Sequence, residues 1–148
     1  IEQVENTPDN WVWSYHGSPD GLRRNRQEVT RKFIEDYQHN SDKSRYITGE
    51  LPKLPFADEK FDLALCSHFL FLYSAHFTYD FHLESVYEML RVADEVRIFP
   101  LLTLARETSP YISPLRKQLE TDSFTTEIQE VVYELQKGGN KMLVIKRT

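Results

Sequence analysis

The chain has 148 residues, 40% hydrophobic, 28% charged and 13% aromatic, with 18 basic against 23 acidic side chains and a net charge of -5 at pH 7. That length and composition suffice for a globular domain and exclude the disordered, collagen-like and disulfide-framed classes. The one cysteine, Cys66, rules out an intramolecular disulfide and points to a reducing, cytoplasmic setting, while the acidic balance gives no general attraction to nucleic acid or anionic lipid.

The chain opens on Ile1, with Glu2 and Glu5 close behind, which resembles neither a signal nor a transit peptide and reads as a cut edge. Residues 1–17 form an aromatic opening segment, in which Trp11, Trp13 and Tyr15 need something to pack on, or would stack on a flat ligand. Ser18-Pro19 then has the residue types of a helix cap and first turn, with Asp20 in the positive first turn. Leu22, Val29, Phe33, Ile34 and Tyr37 recur at helical spacing until His39-Asn40-Ser41, so an amphipathic helix of about twenty residues is expected. Its basic residues, Arg23, Arg24, Arg26, Arg31 and Lys32, are interrupted by Glu28, Glu35 and Asp36, which favours a solvated mixed-charge face over a phosphate-binding one.

Arg45–Gly49 is a short strand candidate, and the two prolines of Glu50-Leu51-Pro52-Lys53-Leu54-Pro55-Phe56 enforce an extended loop. Phe61–Cys66 is mostly apolar on both faces, the pattern of a central parallel strand. The longest apolar run, Phe69–Tyr73, falls far short of the roughly 20 residues that a membrane span requires. Phe81, Val86, Met89 and Leu90 mark a helix over Asp80–Val92, followed by a strand from Glu95 that must end near Pro100. Leu115 and Leu119 suggest a short helix. Thr125–Glu134 and Lys141–Lys146, joined by a turn containing Gly138-Gly139, suggest a closing hairpin with an antiparallel strand at the sheet edge. This order implies an α/β fold with a mostly parallel sheet.

Ligands of open α/β sheets bind where loops leave the carboxyl ends of strands. Glu50 sits after one candidate strand, where a carboxylate can accept from an amino group or hydroxyl, and Cys66-Ser67-His68 leaves another. A histidine beside Phe69 and Phe71 reads first as a hydrogen-bonded part of the core; the alternative for His68 is a general base, since an imidazole titrates near neutrality. Cys66 reads as a small buried hydrophobe rather than a nucleophile. His76, Asp80 and His82 match no compact zinc pattern, so no metal is assigned.

The run from Gly49-Glu50 through Leu54-Pro55-Phe56, the polar turn Ala57–Lys60 and Phe61-Asp62 to Cys66-Ser67-His68 resembles the third and fourth strands of class I S-adenosylmethionine-dependent methyltransferases. Downstream, an acidic residue ahead of Leu-Arg (Glu88 to Arg91), a fifth strand, a helix and a hairpin follow in a similar order. The resemblance runs from about Ser18 to the end. It implies a Rossmann-like sheet, S-adenosylmethionine as cofactor, adenine contacts from Glu50 and Leu51, and a methionine end lined by Cys66, Ser67 and His68.

It also implies an absence. The five glycines, Gly17, Gly21, Gly49, Gly138 and Gly139, form no Gly-x-Gly, so the glycine-rich loop and acid-tipped second strand of the family have no counterpart in the chain. The expectation is a methyltransferase-like domain over 18–148 lacking an N-terminal strand-helix-strand unit of ~30 residues or more. Such a fragment would bind the cofactor weakly or not at all, and Trp11, Trp13 and Tyr15 would be expected to pack on the missing half; the Phe61–Cys66 strand would have an unpaired edge, filled by the rest of a longer enzyme or by a second copy in a homodimer. The methyl acceptor, a small molecule or otherwise, is not legible. A cofactor-free interaction or regulatory domain is the alternative.

Overall fold

The computed structural model describes residues 2–43 and 45–147. The chain forms two compact units, Ile1–Gly49 with Tyr133–Lys137, and Glu50–Val132 with Gly138–Thr148. The boundary read at 17/18 therefore falls inside the first unit.

In the first unit, helix α1 (Glu2–Asn6) and a 3-10 turn at Pro8–Asn10 precede the long helix α2 (Pro19–Asn40). Ser18 starts α2 as its residue type predicts: its Oγ accepts the Gly21 N–H at 3.0 Å, satisfying one of the orphan donors of the first turn. Gly21 is glycine for want of space, because a Cβ there would lie 1.8 Å from the His16 carbonyl oxygen. Residues from the far end of the chain close this unit. Val12 N–H donates to Leu135 O at 2.8 Å and Lys137 N–H to Asn10 O at 3.0 Å, around a Trp11–Gln136 bridge. Val4, Leu22 and Leu135 are buried together, with Trp11, Trp13 and Tyr133 packed on them.

The apolar stripe of α2 is largely uncovered: Leu22 is buried, whereas Val29, Phe33, Ile34 and Tyr37 are exposed. Its charged residues form the expected mixed face, with Arg31–Glu35 and Lys32–Glu28 pairs one turn apart. Arg45–Gly49 is not a strand. Tyr46 and Arg45 instead turn back onto Asp36, each at 2.5 Å from a carboxylate oxygen, which holds that carboxyl below its usual range. Extended residues become a strand only with a neighbour to complete the ladder, and this segment has none among the described residues.

The second unit contains β1 (Phe61–Ser67), α3 (Tyr79–Val92), β2 (Ala93–Phe99), α4 (Ile112–Thr121), β3 (Phe124–Glu130) and β4 (Lys141–Arg147). Its sheet runs β1-β2-β4-β3. Only β1–β2 is parallel, and β4 pairs antiparallel with both β2 and β3, so the mostly parallel sheet is corrected to a mixed one. The cause is topological. One crossover, through α3, supplies one parallel pair, and Gly138 at φ +81 helps turn the chain back into an antiparallel one. The closing hairpin places an antiparallel strand at the sheet edge, as expected. Leu143, Val144 and Ile145 are buried in succession, which demands cover on both faces, so β4 is interior and β3 takes the edge with Ile128 39% exposed.

Helices α3 and α4 contribute Val86, Met89, Leu90, Ile112, Leu115 and Leu119 to one core with Val96 and Ile98 of β2 and Leu143 and Ile145 of β4. Strand β1 has the apolar pattern of a central strand but lies at the end of the sheet, with the unpaired edge expected of it and a neighbour on one side only among the described residues. Phe61, Leu63 and Leu65 alternate along it and are 39%, 42% and 70% exposed. It carries no proline or lysine of the kind that blunts sheet edges. No helix is long and apolar enough to cross a membrane, among the described residues.

Candidate functional site

The loop before β1 is held in place by α3. Arg91 donates to Phe56 O at 2.8 Å and Leu54 O at 3.2 Å, and to Asp58 Oδ1 at 2.7 Å. Glu88, one turn earlier, accepts the Leu54 N–H at 2.6 Å and receives two Arg91 donors at 2.7 and 2.9 Å. The guanidinium and the Leu54 amide hold the Glu88 carboxyl down at about 2. The acidic residue and Leu-Arg of the α3 sequence are thus the clamp on the Leu-Pro-Phe loop. Their (i, i+3) spacing was visible in sequence, but their targets lie 33 to 37 residues upstream.

Clamping that loop against the open edge of β1 creates an apolar groove of about 330 Å³. Leu51, Leu54 and Phe56 form one wall, and Leu65, Cys66 and Met89 contribute to the rest. Of the residues singled out in sequence, Leu51 and Cys66 are brought together here. Leu51 is half-buried and joined to Pro52 by a cis peptide; Cys66 is buried, and burial pushes its thiol above the usual range, which fits a packing residue and not a thiolate. Glu50 is exposed at the mouth of the loop, its carbonyl accepting the Lys53 N–H at 2.9 Å, and its side chain does not line the groove.

Ser67 and His68 form a separate pair at the carboxyl end of β1. Ser67 Oγ and His68 Nδ1 are 2.8 Å apart, and the His68 N–H donates to Phe99 O at 2.7 Å. His68 is exposed, so the core reading of it is corrected. Its backbone sits in the left-handed region at φ 57, where the chain turns and the imidazole is left on the surface against the Phe99 ring.

The buried histidine of this unit is His82. Its Nδ1–H donates to Thr78 O at 2.8 Å, its ring stacks on Phe71, and burial depresses its pKa. Its Nε2 has no protein partner. No three His, Cys, Asp or Glu side chains gather in metal-binding geometry among the described residues.

Fold and groove together define an α/β protein with an apolar cleft along the unpaired end of a mixed sheet. No protein-family model and no solved structure matches the chain. An uncharacterised protein of Methanocaldococcus jannaschii, MJ0045, is 37% identical over 139 residues, covering 94% of this chain and 60% of that protein. The chain therefore spans less than two thirds of the length of this relative.

Proposed function

We propose that the chain is the C-terminal part of a methyltransferase-like domain that uses S-adenosylmethionine. The observation that carries this reading is the strand–α3–strand crossover with the Leu-Pro-Phe loop clamped beside it. That arrangement puts Leu51 and Cys66 on one apolar groove, where the resemblance would have the adenine and the methionine end lie. A groove lined by leucines and a cysteine suits a flat heteroaromatic ring, and Glu50, next to Leu51 of its wall, would be the acceptor for an exocyclic amine. S-adenosylmethionine, when bound, supplies an electrophilic methyl group.

The protein's part is then to align an acceptor with that methyl and to take a proton where the acceptor must lose one. His68, exposed and paired through Nδ1 with Ser67, would be the candidate for the second task. The single buried thiol is in keeping with a cytoplasmic setting.

Titration of the ¹⁵N-labelled chain with S-adenosylhomocysteine tests the reading. Shifts are expected at the amides of Glu50, Leu51, Cys66, Ser67 and His68 at millimolar ligand, without micromolar binding by calorimetry. Unmoved amides at those positions would leave the cofactor-free interaction domain as the better account, and micromolar calorimetric binding would refute the missing glycine-rich loop as the reason for weak affinity.

The open edge of β1 belongs to the same proposal. In the 148-residue chain a second copy covers Phe61, Leu63 and Leu65 by strand pairing, as unprotected apolar edges invite. Sedimentation is expected to show a dimer that Leu65→Lys converts to monomer; a monomeric parent chain would remove the idea.

A further inference from the structure

We propose that the first unit contains a second, separate binding site, for a small planar carboxylate, built by α2 and the Tyr15-His16 turn together with Tyr133. Leu22, Asn25, Arg26, Val29 and Thr30 recur at helical spacing, so they share one face of α2. Facing that stripe, Tyr15, His16 and Tyr133 enclose a groove of about 340 Å³. This is at the small end of the range for ligand sites, the size for one ring and a short polar arm.

Two features of the groove specify its ligand. The first is aromatic. Tyr15 meets Tyr133 edge-on at 5.1 Å and His16 at 4.9 Å, and exposed Val29 adds an apolar wall, so a flat ring finds both π and aliphatic surface. Tyr133 lies 117 residues from His16 in the chain and is placed by the Trp11–Gln136 clasp, which makes the pocket a product of the fold.

The second feature is charge. Arg23, Arg31 and Lys32 of α2 are ion-paired, to Glu5 and Asp20, to Glu35 and to Glu28 respectively, and Arg24 does not line the groove. Arg26 lines the groove and has no ion pair or hydrogen bond among the described residues. The imidazole beside it does not add a second cation. Asn25 Nδ2 approaches His16 Nδ1 at 2.9 Å as a donor, which assigns the proton to Nε2, and that nitrogen faces the Tyr133 hydroxyl at 3.2 Å. Burial and the Arg26 charge both lower the His16 pKa, keeping the ring neutral. The groove thus presents one planar guanidinium at the edge of an aromatic slot. A carboxylate engages such a fork through two parallel hydrogen bonds, and a ring attached to it lies along Tyr15, Val29 and Tyr133.

The test uses benzoate as probe, with benzamide as its uncharged counterpart and acetate as the charge without the ring, followed through the His16 Cε1–H resonance. Saturable shifts with benzoate are expected, with benzamide and acetate each at least about tenfold weaker, the range of one charge-assisted or one ring contact. Arg26→Gln, at an exposed position whose loss circular dichroism should not register, is expected to erase the preference for benzoate over benzamide. No saturable shift with benzoate, an equal response to benzamide, or an unchanged preference in Arg26→Gln would each overturn the proposal. Because the readout lies in the first unit and requires no S-adenosyl compound, its failure is separate from that of the methyltransferase reading.

Discussion

Leu143→Ala is expected to destabilise the sheet-containing unit by about 2–5 kcal/mol, the cost of a leucine-sized cavity in a core that cannot fully collapse. Leu143 is wholly buried on β4, flanked by Ile98 of β2 and Ile128 of β3, and belongs to the core formed with Leu115 and Leu119 of α4. The paired control is Ile128→Ala. Ile128 sits opposite Leu143 but on the edge strand and 39% exposed, so its truncation should cost about 1 kcal/mol, in proportion to the apolar area it withholds from water. Urea unfolding should be followed by the methyl resonances of Val96 and Ile98, since both tryptophans, Trp11 and Trp13, belong to the other unit. Equal losses for the two variants, or a larger one for Ile128→Ala, would mean that β4 is not the interior strand.

That strand order was the least legible part of the fold. Helices α2, α3 and α4 and the four strands could be located from their own residues, because capping, helical spacing and apolar runs are local properties, whereas the short α1 was read only as part of the aromatic opening segment. Ser18 announces the start of α2, and Pro100 follows the last residue of β2. Whether Thr125–Glu134 or Lys141–Lys146 lies inside depends on what the other elements leave uncovered, which no window of sequence contains. The same limit explains Arg45–Gly49. Ile47 and Thr48 have the branching of strand residues, but without a neighbouring strand the backbone satisfies itself differently, and Tyr46 and Arg45 bind Asp36.

Leu51 and Cys66, named through the resemblance, line one groove because a short loop returns beside its own strand. His68 was ambiguous because a left-handed residue that is not glycine reverses the expected inward direction, and nothing in Cys66-Ser67-His68 declares that turn. The aromatic slot around Tyr133 was invisible for a different reason: its walls come from opposite ends of the chain. Trp11 and Trp13 pack with Leu135, and Tyr15 with Tyr133, within this unit and not on an absent half of the domain; of those partners Tyr133 had the pattern of a strand residue and Leu135 lay just beyond that segment.

The second large effect concerns the clamp on the groove. Glu88→Gln is expected to destabilise the protein at pH 7 and to make little difference near pH 2.5. The Glu88 carboxyl ordinarily titrates at 4.5 and is held at about 2 in the fold by Arg91 and the Leu54 N–H. The folded state therefore binds this proton more weakly than the unfolded state does. The resulting stability is complete above pH 4.5 and is lost as the pH falls through the interval down to 2. A pKa unit corresponds to about 1.4 kcal/mol, but Arg91 is a third exposed and water screens the pair, so the contribution at pH 7 is about 1–2 kcal/mol. The substituted carboxamide keeps an acceptor for the Leu54 N–H and loses the charge, which isolates the electrostatic part. Urea midpoints of the parent and the variant, taken from pH 7 down to pH 2.5, should converge as acid titrates Glu88. Other carboxylates held low by their partners, Glu95 and Asp122 among them, titrate alike in both proteins and cancel in the difference. A gap between the two proteins that stays constant down to pH 2.5 would show that Glu88 is not held by Arg91 in solution. The loop would then lack its fastening, and amide exchange at Leu54 would be fast already in the parent chain. If the gap closes as expected, slow exchange at Leu54 in the parent and fast exchange in Glu88→Gln ties the same ion pair to the shape of the groove that Leu51 and Cys66 line.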